Sequence, residues 1–198
     1  MTEISAALVK QLRDKTGLGM MDCKEALRAS GGDIDKAVDH LRKLGLDAAS
    51  KRVGRKTSEG LVASYIHVNG KIGVLIEVNC ETDFVARGED FKGLVKNLCM
   101  HVAASDPIAV SAENVPAEIV DKEKEIYRAQ VVNKPPEVTD KIVLGKVKKF
   151  FAERCLMEQP YVKDPDQTVG DLVKQTIAKL GENITVRRFV RYELGEEF

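Results

Sequence analysis

The residues able to do chemistry are few and scattered. His40, His67 and His101 stand apart from one another and from the four cysteines, Cys23, Cys80, Cys99 and Cys155. No pair of cysteines forms C-x-x-C, so the spacing argues against a zinc ribbon or a dithiol redox centre. Most of the thiols read as small apolar core residues in a reducing cytosol. No serine or cysteine stands in a recognisable nucleophile elbow. The sharpest catalytic alternative is a thiol reaction at Cys80, with Glu81 beside it and His67 upstream; the plainer account is a cysteine buried at a strand end. Nucleotide-binding loops are also missing. Gly17-Leu18-Gly19 lacks a third glycine and lies between helices, and Asn133-Lys134 runs into two prolines with no aspartate. Nothing in the sequence calls for a cofactor or a metal.

Two segments remain. Thr82-Asp83-Phe84-Val85-Ala86 falls where a strand pattern gives way to a helix pattern. One reading is structural, with Thr82 or Asp83 capping the helix and Phe84 covering the edge of the core. The other makes Phe84 an aromatic probe at a loop tip, whose burial in a partner is worth about 1.5–3 kcal/mol, with the Asp83 carboxylate beside it. The second segment is Met20-Met21-Asp22-Cys23-Lys24. Adjacent methionines do not both face one core, so either one is exposed and suited to a partner surface or both are partly buried as loop filler.

These segments must be positioned by the elements around them. Ile4, Leu8 and Leu12 recur at helical spacing and Thr16-Gly17 closes that run. Ala26 and Leu27 face inward from a second helix, broken by Gly31-Gly32. Asp33 caps a third, whose apolar residues are Ile34, Ala37, Val38, Leu41 and Leu44. Three short helices make a minimal bundle. A basic stretch from Asp47 to Glu59 reads as a linker or a solvated helix end. The period then changes. Leu61 to Val68 and Lys71 to Asn79 predict strands, and Asn69-Gly70 predicts a tight hairpin with positive φ at both residues. Phe91, Leu94, Val95, Leu98, Val102 and Ala103 lie on one helical face, ended by Asp106-Pro107. Pro116 opens a charged helix through Tyr127. Another, from about Thr139 to Arg154, is expected to bury Val143, Val147 and Phe151. Gln159 to Asp166 reads as loop. Thr168 and Asp171 form a capping-box variant, Gly181 follows as a C′ residue, and Ile184 to Leu194 alternates as a strand. The fold class is α+β: a three-helix N-terminal bundle, then a core with a small antiparallel sheet of a β-hairpin and a C-terminal strand, packed with helices.

Lysine plus arginine equals aspartate plus glutamate, 31 against 31. A zero balance gives no electrostatic case for nucleic acid or for a membrane surface. The start of the chain, Met1-Thr2-Glu3-Ile4, lacks the pattern of a signal peptide, and no apolar run spans a bilayer. A cytoplasmic protein that recognises a partner through particular side chains is expected.

Leu12-Arg13-Asp14-Lys15-Thr16-Gly17-Leu18-Gly19-Met20-Met21-Asp22-Cys23-Lys24-Glu25-Ala26-Leu27 resembles the N-terminal domain of bacterial elongation factor Ts. Thr82-Asp83-Phe84-Val85-Ala86 is similar to that family's core signature, as are Gln159-Pro160-Tyr161 and Arg188-Phe189-Val190-Arg191-Tyr192-Glu193. The likeness runs in order along nearly the whole chain. It implies a non-enzymatic guanine nucleotide exchange factor whose partner is elongation factor Tu, GDP-bound and nucleotide-free. Residues 1–54 are then a bundle resembling a ubiquitin-associated domain that docks on the GTPase, with Arg13, Met20, Met21 and Lys24 as contacts. Residues 55–198 are the core, in which Asp83 and Phe84 intrude near the GTPase's magnesium and phosphate site while Thr82 and Val85 shape the turn. The chain reads as a single hairpin core without the family's coiled-coil insertion. It is similar to the short forms, which pair as homodimers through their sheets. A binding module without exchange activity, holding a ubiquitin-like or nascent-chain partner, is the alternative.

Overall fold

The computed structural model describes residues 4–197, apart from the side chains of residues 46–49. Residues 1–3, on which part of the leader argument rests, lie outside that range. The protein is α+β.

Helices α1 (Ala6–Thr16), α2 (Met20–Ala29) and α3 (Ile34–Ser50) come first. Their shared core is Val9, Leu12, Cys23, Ala26, Leu27, Ala37 and Leu41. Gly17 ends α1 at φ 70°, where its N–H meets the Arg13 carbonyl at 2.7 Å; a left-handed residue there is what glycine permits. At the head of α3, Asp33 Oδ1 accepts from the Lys36 N–H at 3.0 Å. That bond holds the Asp33 carboxyl below its usual range. Leu44, expected inside, is exposed. The end of α3 has left the bundle and lies on a later helix, meeting it through Gly45.

Strands β1 (Glu59–Ile66) and β2 (Ile72–Cys80) form the hairpin, and β5 (Ile184–Glu193) pairs antiparallel with β2, giving the order β1-β2-β5. The hairpin turn is wider than a two-residue loop. Only Gly70 takes positive φ, its N–H bonds the His67 carbonyl at 2.7 Å, and Asn69 Oδ1 accepts from the Lys71 N–H at 3.1 Å. Asn69 thus bonds the backbone two residues on instead of adopting a left-handed conformation. In β5 the alternation changes phase at Arg187. Glu77 pairs with Arg188 while Val78 pairs with Val186, leaving Arg187 as the extra residue of a bulge. Ile184 and Val186 therefore face the core, and Arg188, Val190 and Tyr192 face out.

Helix α4 (Asp83–Arg87) follows β2 and leads into α5 (Glu89–Ser105), which lies across the inner face of the sheet. All six residues read as its apolar face are buried, with Cys99 and His101. Helices α6 (Ala117–Gln130) and α7 (Pro136–Arg154) pack on one another as an antiparallel pair. The insertion-free core expected from the sequence is corrected here: a long helical hairpin stands between α5 and the rest of the core. Helix α7 starts at Pro136 rather than near Thr139, since proline suits a first helical position whose N–H has no acceptor. Phe151 is only half-buried, packing against the small cluster of Ala109, Val115 and Cys155, whereas Val143 and Val147 are buried. The segment read as loop forms a ribbon, β3 (Pro160–Tyr161) with β4 (Asp164–Thr168), anchored by buried Tyr161. A two-stranded ribbon is all edge, so Pro165 is tolerated in it.

Helix α8 (Val169–Leu180) opens on the reciprocal Thr168–Asp171 capping box and ends at Gly181, φ 77°. It joins the two halves of the chain. A Cβ on Gly45 of α3 would stand 3.1 Å from the Ala178 Cβ. The Lys179 stem lies over Gly17, while its Nζ reaches Asp90 Oδ1 at 2.7 Å.

His101 is enclosed between α5 and the ribbon. Its Nε2–H donates to Gln159 Oε1 at 2.9 Å and its Nδ1 accepts from the Val162 N–H at 3.3 Å. The Gln159 amide nitrogen donates to the Ser105 and Glu153 carbonyls, which fixes its oxygen toward the imidazole. Burial holds His101 below its ordinary value of 6.5. The unfolded chain then takes up a proton that the native imidazole refuses, so this group's contribution is present above pH 6.5 and is lost as pH falls below it. Thermal melts are expected to show a lower Tm at pH 5.5 than at 7.5, with a smaller difference in His101→Gln. An equal pH difference in that variant would place its origin elsewhere.

Candidate functional site

Helix α4 is five residues long and sits on a short stretch of chain between the end of β2 and the start of α5. Thr82 is its N-cap in extended conformation, φ −126°, and its Oγ1 accepts from the Val85 N–H at 3.4 Å. The capping half of the structural reading holds at Thr82, but Phe84 does not cover the edge of the core. Val85 and Ala86 are buried in the main core. Val85, grouped from the sequence with the partner-facing residues, is 8% exposed and anchors the turn from below. Phe84 points the other way and is 84% exposed, a large free aromatic surface. Asp83 is also exposed, and its carboxylate meets the Arg87 guanidinium at 2.8 Å, one helical turn on. An exposed i,i+4 pair contributes only about 0.3–0.5 kcal/mol, so Asp83 is easily released to another partner.

The turn is also held from the side. The Glu182 carboxylate, just beyond the end of α8, accepts from the Glu81 N–H at 3.2 Å, the Thr82 N–H at 3.0 Å and the Thr82 hydroxyl at 2.6 Å. Glu81 answers in the other direction, accepting from the Asn183 N–H at 2.6 Å and pairing with Arg55 at 3.6 Å. The Asn183 side chain donates to the Arg55 carbonyl at 2.9 Å. Sequence reading missed Glu182, Asn183 and Arg55. The glycine that ends α8 marks a loop there, but nothing local tells which of many carboxylates crosses to a turn 100 residues away.

At the other segment, Met20 and Met21 open α2 and are 53% and 65% exposed. Lys24, a turn later, is half-buried, and Arg13 is exposed on α1. Cys23 between them is buried. Both methionines are outside, so neither serves as filler.

The thiols are not arranged to react. All four are free and buried. Burial pushes Cys80, Cys99 and Cys155 up to about 11, with the Glu182 charge adding to the rise at Cys80. Cys80 Sγ donates to the Thr82 carbonyl at 3.2 Å and so belongs to the brace of the turn. Cys80 pairs with Glu59 at one end of the hairpin, while His67 stands at the other. At about 3.3 Å per residue, a strand's length separates them, which removes the Cys80–His67 alternative. Among the described residues no group of three or more His, Cys, Asp and Glu side chains is placed to hold a metal, and no helix is long and apolar enough to cross a membrane.

The fold and the site define an α+β protein that offers an unpartnered aromatic on a braced turn and a pair of methionines on a separate bundle. The family model for Elongation factor TS matches residues 29–196. Elongation factor Ts of Desulfosudis oleivorans is 59% identical over 198 residues, covering 99% of this chain and 100% of the relative. That of Moorella thermoacetica is 61% identical over 195 residues, 98% and 96% of the two chains. That of Geobacter metallireducens is 58% identical over 195 residues, 98% and 90%. The chain belongs to the elongation factor Ts family and is a protein of translation elongation.

Proposed function

We propose that this chain is a guanine nucleotide exchange factor for elongation factor Tu, acting by binding without covalent chemistry. It engages the GDP-bound GTPase, disturbs the magnesium and phosphate site, and leaves a nucleotide-free complex that GTP then enters. The observation that carries this reading is Phe84, exposed on a turn whose neighbours are buried or braced. Entry of the ring into the partner supplies about 1.5–3 kcal/mol. Asp83, once it leaves Arg87, competes with the arrangement that closes around the metal. Thr82 caps the turn and Val85 roots it. The factor and GDP then weaken each other's hold on the GTPase, and linkage makes that effect reciprocal.

Residues 1–54 form the docking unit in this reading, with Met20, Met21, Arg13 and Lys24 on its contact surface. Residues 55–198 carry the wedge. Two exposed methionines suit such a surface, since an unbranched thioether adapts to the shape it meets. The four enclosed, unpaired thiols suit a cytoplasmic protein.

A homodimer through the core sheet is part of the same proposal. The outer face of the sheet carries Val62, Ile66, Leu75, Val190 and Tyr192, all exposed. Strand β5 is an edge, and an unpaired edge is a template for pairing. No cysteine lies within Ile184–Glu193, so no interchain disulfide forms there.

Phe84→Ala is expected to lower the maximal rate of factor-stimulated GDP release by about 10- to 100-fold, with a much smaller change in the affinity of the complex. Release of a fluorescent GDP from elongation factor Tu measures both; equal losses would make Phe84 an anchor only. The double variant Met20→Ala, Met21→Ala should raise the half-saturating factor concentration about tenfold with an unchanged Tm, and an unchanged half-saturation refutes docking at that surface. Sedimentation equilibrium should find a dimer that Leu75→Lys converts to monomer. A wild-type monomer at micromolar concentration would refute pairing through this face.

A further inference from the structure

We infer that Glu182 is a positioning residue for exchange: its carboxylate holds the Thr82–Val85 turn in the shape that projects Phe84. The inference rests on the exchange reading above and deepens it.

Five residues close too few helical hydrogen bonds to keep α4 formed on their own. Its conformation is imposed by what surrounds it. Val85 and Ala86 fix its inner side in the core. That burial sets depth but leaves the entry of the chain into the helix undetermined. The entry is set by Glu182, which accepts from two successive backbone N–H groups, Glu81 and Thr82, and from the Thr82 hydroxyl. Bonds to an ionised acceptor are the stronger kind.

The Thr82 hydroxyl is engaged on both sides. It donates to Glu182 at 2.6 Å and accepts from the Val85 N–H at 3.4 Å. Donation to a carboxylate polarises the oxygen and makes it a better acceptor. The charge on Glu182 therefore reaches the first turn of the helix on which Phe84 stands. Glu182 is itself held in place. Gly181 ends α8 in the left-handed region immediately before it, and Asn183 is tied to Glu81 and to the Arg55 carbonyl immediately after it. The brace is cross-linked in both directions, so its geometry is set before any partner arrives.

A residue that only stabilised the fold would alter how much active protein is present. A positioning residue alters the maximal rate of GDP release while docking through the bundle persists. Since the chain contains no tryptophan, Phe84→Trp supplies a single indole that reports the order of the turn in the full chain. Glu182→Ala in that background should lower the fluorescence anisotropy of the indole. In the Phe84 background, Glu182→Ala should lower the maximal rate of stimulated GDP release about tenfold, with half-saturation changed less than about threefold. Glu182→Gln retains one acceptor oxygen and should fall between wild type and Glu182→Ala on both measures, which guards against misfolding of the alanine variant. Unchanged anisotropy in both variants overturns the inference. So does lowered anisotropy with full release activity, or a rise in half-saturation with no change in maximal rate. A wild-type chain that leaves GDP release at its spontaneous rate overturns the exchange reading and this inference with it. That failure is seen before any Glu182 variant is made.

Discussion

A helix of five residues cannot hold itself, and the shape of this protein's exposed tip depends on how α4 is held. Two interactions do it from different directions. Below, Val85 and Ala86 are sealed into the core between the sheet and α5. At the side, the Glu182 carboxylate gathers the backbone where the chain leaves β2. With the inner face committed to the core and the entry pinned, Phe84 has nowhere to turn but outward. Its exposure follows from the satisfaction of its neighbours.

The end of α8 has a second part in the architecture. Lys179 stands one turn before Glu182, lies against Gly17 at the close of α1, and reaches Asp90 at the start of α5. Both candidate surfaces, the methionine pair that opens α2 and the aromatic turn at α4, are thus fixed to the same end of one helix. The contact is tight where Gly45 meets Ala178. That closeness relates the bundle to the core more directly than a polar linker does. The helical hairpin of α6 and α7 is different. Helix α6 buries no side chain fully and packs mainly on α7, so it is the kind of element expected to open at low free-energy cost.

Polar groups inside the core are used for order rather than reaction. His101 and Gln159 satisfy one another and three backbone groups between α5, α7 and the ribbon. Burial raises the thiol pKa of Cys80, Cys99 and Cys155. Beside α4, the Glu182 and Glu81 carboxylates are engaged by backbone N–H groups. The exposed apolar groups include one ring, two thioethers and the outer face of the sheet.

Helices, strands and caps were legible because their signals are local. The bundle, the hairpin, the long face of α5, the capping box at Thr168 and the final strand all follow from period, turn residues and caps acting within a few positions. The turn at Thr82 could be located in the same way; for the methionines the sequence argued only that the two do not both face the core, and both lie outside. Three things were decided only in three dimensions. Val85 and Phe84 are adjacent and both apolar, and nothing in the string says which one enters the core. Leu44 keeps the helical period yet lies outside, because α3 outruns its bundle to meet α8. Glu182 is one carboxylate among 31 acidic residues until the fold brings it to Thr82. Propensity and pattern act over a turn of chain, whereas a hydrogen bond across a hundred residues is set by packing.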